Sequence, residues 1–417
     1  MKKQFFLLSI FYSFSLMANT LTLNDAIDKT MQNHPDIKSF DLKVKQSNAS
    51  YKSAYSAYLP QINLTANYNA TQTYAVTVNN TFKTIDDDGL TLGATLNQKI
   101  YDFSKTSSLI KASKIDEKIS KLSLEDLQAS LVYEVKSFYQ LMVLKSEAIK
   151  VRQKDLDSKV AYYEQAQALV KEGLKTQADA SRFLSAVYLA KNNLYEAKAE
   201  YEKAKNSLSL YMGEDIEDGV ELQTNIIKQD ANFDKNIVKE ILDTNYDLKI
   251  SDETIQKNIL LRKSAKASHY GSVDAVASYN YIDNLNSYDS KLVGVSLNIP
   301  LYSGGKLSAE SQKAEIASQI AKEQKASKIL ALREQIESLL IDIKRYNKTI
   351  QAKKAELEAS QETKKVLDAR YEEGLSTYIE VLDASSLVLN AKLSVLEAYY
   401  QKAMSINKII YLKGKAK

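Results

Sequence analysis

Six glycines at two repeated spacings constrain the fold of this chain more than any other feature of its sequence. Gly93, Gly173 and Gly213 are separated by 80 and 40 residues, and the same two intervals separate Gly294, Gly374 and Gly414. Such a repeat has to be identified before single motifs, because overlooking it misassigns the whole fold. Two unrelated domains would not share both intervals, so the sequence predicts an internal twofold repeat.

Sequence matches between the copies set the boundaries of the repeat. LNQKIY at 96–101 matches LNIPLY at 297–302, and HPDIK at 34–38 matches NYDLK at 245–249. The second match is offset by ten residues more than the first, so the first copy carries a ten-residue insertion between Tyr68 and Gly93. We predict a first repeat at 19–213, an equatorial connector at 214–235 and a second repeat at 236–417.

Each copy contains two runs in which apolar and polar residues alternate, the pattern of a β-strand with one apolar face. The apolar members are Ile62, Leu64, Ala66, Tyr68 and Ala70, then Leu90, Leu92, Ala94 and Leu96; in the second copy they are Val273, Ala275, Ala277, Tyr279 and Tyr281, then Val293, Val295, Leu297 and Ile299. The pattern predicts strand hairpins at 61–97 and 272–300, the first with a polar loop containing Asp86, Asp87, Asp88 and Gly89. Alternation alone fits a membrane sheet and a half-buried soluble sheet equally well.

The segments after the strands predict very long helices. Neither Gly nor Pro occurs between Asp102 and Glu172 or between Lys306 and Glu373. A continuous helix of about 70 residues would be roughly 100 Å long. Heptad spacing favours coiled-coil packing, with a seam through Ile329, Leu332, Ile336, Leu339, Ile343, Tyr346 and Ile350. We therefore predict antiparallel helical hairpins at 102–213 and 304–414, each reversing at a glycine.

Composition excludes several classes of protein. The basic start, the apolar stretch from Phe5 to Met17 and Ala18 predict a signal peptide at 1–18. The chain has no Cys, two isolated His and a formal charge of +4 without a basic stripe, so we expect no metal, no cofactor and no nucleic acid. Gly304-Gly305 lacks the spacing of a phosphate-binding loop, and no catalytic residues stand out. The sequence does not predict an enzyme.

Four membrane-type strands cannot close into a barrel, and an open sheet edge in lipid is costly. Three chains would supply twelve strands, enough for a barrel with a lumen. Seven of the 27 Tyr residues lie in or beside the predicted strands, where a membrane-interface girdle is expected: Tyr58, Tyr68, Tyr101, Tyr270, Tyr279, Tyr281 and Tyr302. The predicted fold is an α+β membrane protein: a trimeric 12-stranded outer-membrane β-barrel, four strands per protomer, continued by a long periplasmic α-helical coiled-coil tunnel.

One stretch resembles a known family. YEEGLSTYIEVLDASSLVLNAK, from Tyr371 to Lys392, is similar to the tip and returning helix of TolC-type outer-membrane efflux proteins, and the duplication and the hairpin lengths are similar over nearly the whole mature chain. The resemblance implies a homotrimeric channel-tunnel, a passive gated export duct of a tripartite efflux or type I secretion system. It also implies a periplasmic adaptor (membrane fusion) protein, an inner-membrane RND or ABC transporter and outer-membrane lipid as partners.

The same resemblance assigns the residues of a periplasmic gate. Asp383 and Glu380 would form rings of carboxylates, for which the first copy has Ala178 and Ser181 around Asp179. Tyr371 and Asp179 match positions that latch the gate. Ser376 stands where the family usually has Arg, so Lys175 or Arg182 would have to substitute for that part of the latch. The hairpin tips that would dock the adaptor are Glu172, Gly173, Leu174, Glu373, Gly374 and Leu375.

Two alternatives remain at the level of sequence. Glu380 and Asp383 are also the residues expected near any helix N-terminus, where acidic side chains interact favourably with the helix dipole. The whole chain could instead be a periplasmic adaptor or a structural coiled-coil protein. An adaptor predicts Gly-rich lipoyl-like halves around one hairpin, and a stalk predicts heptads without duplicated strand pairs; the sequence shows neither pattern.

Overall fold

A computed structural model describes residues 20–234 and 236–414; the predicted signal peptide lies outside them. In chain order the elements are β1 (Thr20–Leu21), α1 (Leu23–Asn33), α2 (Pro35–Tyr55), β2 (Gln61–Val78), β3 (Thr81–Tyr101), α3 (Lys105–Lys171), α4 (Gln177–Met212), β4 (Glu221–Leu222), α5 (Ile237–Thr244), α6 (Tyr246–Ala267), β5 (Ser272–Asp283), β6 (Tyr288–Asn298), α7 (Lys306–Glu372) and α8 (Tyr378–Leu412). The chain divides into two compact units. The helical unit comprises the described residues of 1–35, 128–237 and 336–417, and the sheet unit comprises 36–127 and 238–335.

The sheet unit contains an antiparallel sheet in the order β2-β3-β5-β6, which confirms the four predicted strands. Its register keeps the apolar residues on one face, because Ile62 lies opposite Leu96, Leu96 opposite Ala277, and Ala277 opposite Val293. That face is uncovered: Ile62 is 72% exposed and Val293 is 89% exposed. The other face is polar, with Thr65, Gly93 and Asn280 in one row across three strands.

The predicted polar loop at Asp86, Asp87 and Asp88 is wrong. These residues lie within β3, where Asp86 pairs with Thr73 and Asp87 with Gln72. The chain reverses instead at Asn79 and Asn80, whose φ angles of 51° and 62° are those of a type I′ hairpin turn, which Asn tolerates well. The hydroxyl of Thr73 donates to Asp86 Oδ1 across the two strands (2.6 Å). Such hydrogen bonds stabilise acidic residues within an exposed strand. The first hairpin is therefore a ribbon that extends beyond the β3–β5 pairing, which ends at Leu90.

The two long helices are continuous, as predicted: α3 and α7 are each 67 residues long. The predicted heptad seam of α7 packs against neighbouring residues, since four of its members are buried: Leu332, Ile336, Ile343 and Ile350. In the described residues no helix is sufficiently long and apolar to span a membrane.

The helical unit has its main core where α3 passes the β1–β4 pair. Tyr139 is fully buried there; its hydroxyl donates to the carbonyl of Leu21 (2.7 Å) and accepts from the amide of Gln223 (3.0 Å). One tyrosine thus ties both short strands to α3. Tyr139 packs with Val135, Met142, Leu208 and other apolar residues of the same cluster.

Candidate gate at the helical hairpin tips

The two helical hairpins reverse through the same turn. Gly173 and Gly374 have φ angles of 75° and 76°, the left-handed conformation that ends a helix at little cost only for glycine. In the first turn the amide of Gly173 donates to Val170 O (3.1 Å) and the amide of Leu174 to Leu169 O (2.9 Å). The second turn repeats both bonds, from Gly374 to Tyr371 O and from Leu375 to Arg370 O. These are the two bonds of the Schellman motif.

Both returning helices begin with the same capping box. Thr176 caps α4 and its hydroxyl donates to Asp179 Oδ2 (2.9 Å), while Thr377 caps α8 and its hydroxyl donates to Glu380 Oε2 (3.0 Å). The threonine amides also donate to these carboxylates, at 3.0 and 2.7 Å. Glu380 therefore caps α8 at the helix N-terminus, where the dipole alternative expects an acidic side chain. Hydrogen bonds from the Thr377 amide and hydroxyl lower the pKa of Glu380.

The capping boxes also correct the alignment of the two copies. Because Thr176 corresponds to Thr377, Asp179 corresponds to Glu380 and Arg182 corresponds to Asp383. The assignment of the acidic pair to positions around Asp179 occupied by Ala178 and Ser181 is wrong by one residue. Asp383 lies on α8 three residues after Glu380, and its side chain is exposed.

Tyr371, the predicted latch residue, is packed into a small core at the tips. It is 1% exposed and belongs to a cluster with Tyr162, Ala166, Ala180, Phe183 and Val381. The ring of Phe183 meets that of Tyr371 edge on, with centroids 5.6 Å apart. This core joins residues of α3, α4, α7 and α8. The tips of both hairpins are thus held together by aromatic packing.

The Tyr371 hydroxyl is buried and forms no hydrogen bond with any residue that the structure describes. Burial raises the pKa of Tyr371, and the nearby charge of Asp179 raises it further. The structure therefore brings the two predicted latch residues near each other without a hydrogen bond between them, since Asp179 Oδ2 is taken by Thr176. The ammonium of Lys175 lies 5.2 Å from the Tyr371 ring centroid, whereas Arg182 is exposed.

Ser376 stabilises its own turn. Its side chain is buried, and its hydroxyl donates to the carbonyl of Leu367 at the end of α7 (3.1 Å). A long cationic side chain would not make this local bond. Of the two residues named as substitutes for the usual Arg, Lys175 lies beside the ring of Tyr371, a predicted latch residue.

A polar cluster joins α3 to α7 near the Tyr371 core, and sequence analysis missed it. The Tyr162 hydroxyl donates to Asp368 Oδ1 (2.6 Å), and the Lys364 ammonium donates to Tyr162 Oη and to Asp368 Oδ2, both at 2.5 Å. We call Tyr162, Lys364 and Asp368 the clamp. Burial disfavours the charge on Lys364, but the bonds to Asp368 and Tyr162 outweigh burial and raise its pKa. Burial and the bond to Asp368 raise the pKa of Tyr162.

The predicted docking residues form the ends of the hairpins. Leu174 is 66% exposed and Leu375 is 63% exposed, next to the exposed glutamates Glu172 and Glu373. A Cβ added to Gly173 or Gly374 would meet no atom within 4 Å. The described residues contain no group of three or more His, Cys, Asp or Glu able to hold a metal ion.

Comparison with solved structures identifies the fold. The fold is that of outer-membrane channels: the chain superposes on CusC with a TM-score of 0.83 at 17% identity, covering 94% of this chain and 91% of CusC. It superposes on the outer membrane protein VceC from Vibrio cholerae with a TM-score of 0.81 at 16% identity, covering 94% and 96% of the two chains.

Comparison of the sequence with family models identifies the family of this chain. The model of the outer membrane efflux protein family matches residues 26–214 and 238–414, so the chain belongs to this family. Relatives include the outer membrane protein TolC of Vibrio cholerae, 24% identical over 92% of this chain and 88% of the relative, and TolC of Escherichia coli, 22% identical over 93% and 81%. The predicted family is confirmed, and so are efflux as the function and the outer membrane as the location.

Proposed function

We propose that this chain forms, as a homotrimer, the gated outer-membrane duct of a tripartite efflux or type I secretion system. The proposal depends mainly on the sheet of β2, β3, β5 and β6, which has one exposed apolar face. Among the described residues, the outer edges of β2 and β6 pair with no other strand. Pairing β6 of one chain with β2 of the next closes three sheets into a 12-stranded barrel without unsatisfied edges.

The helical hairpins continue that barrel as a periplasmic tunnel. The twofold repeat gives each chain two hairpins of similar length, so three chains supply six, and their tips form the closed end. Family membership and the matching capping boxes at the two turns support this arrangement. The duct hydrolyses nothing, and the transported molecule moves on energy supplied by the inner-membrane transporter.

The gate consists of a carboxylate ring and a set of contacts that hold it closed. Three copies of Asp383 face the axis, and Glu380 contributes a second ring while also capping α8. Like charges brought near one axis attract polyvalent cations. The closed state is held by the Tyr371 core, with Asp179 and Lys175 beside it, and by the clamp. Opening separates the second hairpin from the first and breaks these contacts.

The exposed tips dock the periplasmic adaptor. Leu174 and Leu375 are large apolar side chains at the ends of the hairpins, in identical Glu-Gly-Leu turns. Three chains present six such tips, a platform that fits six adaptor subunits, and the adaptor in turn connects to an RND or ABC transporter.

The duct is tested by fractionation and by conductance. We expect the protein in the outer membrane as a trimer whose migration in SDS gels changes on heating, and we expect ion conductance in planar bilayers. A protein that fractionates with the periplasm, or a purified trimer that conducts no ions, would contradict the proposal.

The gate is tested separately with a charge-removing variant. In the reconstituted trimer, Asp383→Ala should weaken the block by a trivalent cation added on the periplasmic side, because the carboxylate ring is gone. Glu397→Gln is the matched control: it removes an exposed acid from the same helix 14 residues further on, about 21 Å away along the axis. Unchanged block in Asp383→Ala would count against the ring while leaving the duct intact.

A further inference from the structure

A cavity of about 530 Å³ lies between three helices of the helical unit, next to the clamp. Its wall takes residues from α3, α7 and α8, and therefore from both helical hairpins. Lys364 and Asp368 of the clamp belong to that wall. The volume lies within the range of roughly 300–1,000 Å³ that is typical of sites for small molecules.

Two serine hydroxyls in the wall of the cavity have no partner within the fold. Ser385 on α8 is 4% exposed, and Ser158 on α3 is half-buried. Neither hydroxyl forms a hydrogen bond with a residue that the structure describes. The neighbouring Ser386 differs, because its hydroxyl donates to the carbonyl of Leu382 (2.9 Å). Buried hydroxyls are normally hydrogen-bonded, so those of Ser158 and Ser385 are available to a ligand in the cavity.

A buried ion pair adjoins the same wall. The side chains of Asp155 and Lys159 on α3 are 8% and 7% exposed, and Asp155 lines the cavity. The Lys159 ammonium is 3.7 Å from Asp155 Oδ1, too far for a hydrogen bond, and it has no hydrogen-bond partner among the described residues. Burial lowers the pKa of Lys159; the Asp155 carboxylate opposes this effect, and the Lys364 ammonium adds to it. The negative charge of Asp155 is thus compensated by a lysine of its own helix.

Three further lysines line the cavity, one from each helix: Lys154 of α3, Lys365 of α7 and Lys392 of α8. Within the part of the chain that the structure describes, none of these three forms an ion pair, a hydrogen bond or a ring contact. Of the acidic residues in the wall, Glu372 alone stands outside the clamp and the Asp155 pair. The wall therefore has an excess of positive charge, which three separate helices supply.

We propose that this cavity binds a small polyanion, a molecule with two or more phosphate or carboxylate groups. Its anionic groups contact the ammonium groups of Lys154, Lys365 and Lys392, and the hydroxyls of Ser158 and Ser385 donate to it. Hydrogen bonds between ionised groups are roughly twice as strong as those between neutral groups. A cationic ligand would be repelled by the three lysines, so the charge of the wall selects anions.

The bound polyanion joins the first hairpin to the second. Lys154 belongs to the first hairpin, and Lys365 and Lys392 belong to the second, which are also the two hairpins that the clamp connects. Opening as proposed separates the hairpins and takes these lysines apart. A ligand that binds the closed state more tightly than the open state raises the population of closed channels. The binding follows from the cavity alone, whereas this effect on opening rests on the proposed function.

Isothermal titration calorimetry of the purified protein with inorganic pyrophosphate tests the site. We expect one site per chain, and Lys365→Gln or Lys392→Gln should weaken binding roughly tenfold, because each removes a hydrogen bond between charged groups. Lys348→Gln is the matched control: it removes an exposed lysine of α7 that lies 17 residues before Lys365, about 26 Å away along the axis. The absence of binding would refute the site. Equal weakening in Lys348→Gln would refute it too, since that result indicates general attraction to a basic surface.

The buried hydroxyl of Ser385 gives a second test, which does not change the charge of the protein. Ser385→Ala should weaken pyrophosphate binding roughly fivefold, because one donor to the anion is lost. Ser386→Ala is the control, since its hydroxyl is already bonded to Leu382 O, and it should bind as the unmodified protein does. Equal affinities in the two variants would contradict the position of the ligand in the cavity.

Planar bilayers separate the site from its effect on the channel. Pyrophosphate added on the periplasmic side should lower the open fraction of the unmodified channel, and the same concentration should change that of Lys392→Gln much less. Binding in the calorimeter without a change in open fraction would refute the link to opening and leave the site in place. A protein that conducts no ions would refute the proposed function, and the calorimetry would still decide whether the cavity binds the anion.

Discussion

Replacing Tyr162 by Phe removes one hydroxyl from the clamp and leaves the aromatic ring in the Tyr371 core. The Tyr162 hydroxyl spans from α3 to Asp368 and Lys364 on α7, whereas Lys364 and Asp368 are four residues apart on one helix and keep their own pair in the variant. The change therefore deletes the hydrogen bonds of the clamp between α3 and α7 and leaves the aromatic packing of the Tyr371 core in place. Because opening as proposed has to break this connection, the closed state should lose stability relative to the open state.

The size of the effect follows from the geometry of the clamp. A hydrogen bond to a charged group contributes about 1.5–3 kcal/mol when well buried. The side chains of Lys364 and Asp368 are 22% and 30% exposed and line a cavity of about 530 Å³, so solvent competes and about 1 kcal/mol per chain is a reasonable value. Three clamps that break together would change the ratio of closed to open channels by about 3 kcal/mol, roughly a hundredfold.

Single-channel recording in planar bilayers measures this ratio through the fraction of time at the higher conductance. Tyr163→Phe is the matched control, since the neighbouring hydroxyl bonds to Gln167 within α3, at 2.5 Å. We expect Tyr162→Phe to open more often and Tyr163→Phe to behave as the unmodified protein. Equal open fractions in all three proteins would refute the assignment of the clamp to the closed state.

Three further outcomes concern the stability of the sheet unit. Ser104→Gly should raise the free energy of unfolding by about 1 kcal/mol in thermal melts, because Ser104 has a φ of 71° and its counterpart Gly305 adopts a positive φ without strain. As a control, Lys111→Gly inside α3 should lower the free energy of unfolding by about 1 kcal/mol. Gly271→Ala should abolish the heat-modifiable trimer, since its Cβ would lie 2.0 Å from Asn298 O at a φ of +83°, while Gly294→Ala, with no atom within 4 Å, should assemble normally. Hydrogen bonds from Lys114 and Lys121 lower the pKa of Glu117 from 4.5 to about 2. The ionised Glu117 therefore stabilises the fold fully above pH 4.5, and this stabilisation is lost as the pH falls toward 2. The free energy of unfolding measured along an acid titration should decrease over this range, and the decrease should be smaller in Glu117→Gln.

Much of the fold was predictable because it depends on local rules that repeat along the chain. The alternation in Ile62 to Tyr68 and in Leu90 to Leu96 predicted strands, and the absence of Gly and Pro predicted two uninterrupted helices of 67 residues. Gly173 and Gly374 predicted the turns, since few other residues adopt their φ angles without strain.

The sequence predictions were wrong or incomplete where contacts between residues distant in sequence outweighed a local sequence pattern or gave no local pattern at all. Asp86 to Asp88 resemble a loop by composition, yet the Asn79-Asn80 turn aligns the two strands, and pairing with Thr73 and Gln72 holds the acidic residues in β3. The clamp gave no signal because Tyr162 and Asp368 are 206 residues apart in sequence and nothing in one chain marks such a pair. The glycine intervals already align Asp179 with Glu380, so the one-residue error at Ala178 and Ser181 came from departing from that offset, and the two capping boxes confirm the alignment.

The alignment of Asp179 with Glu380 changes which residues distinguish the two hairpins. If both copies carried an acid one turn after the capping box, six carboxylates would meet at the tips; instead Arg182 occupies the first-copy position and Asp383 the second. The capping acids are common to both copies and stabilise α4 and α8 alike, so they do not distinguish the hairpins. The difference in charge at Arg182 and Asp383 does distinguish them, and only the second hairpin can supply a carboxylate ring at that level. Arg182 and Asp383 are thus a difference in charge between two turns that share the same capping box.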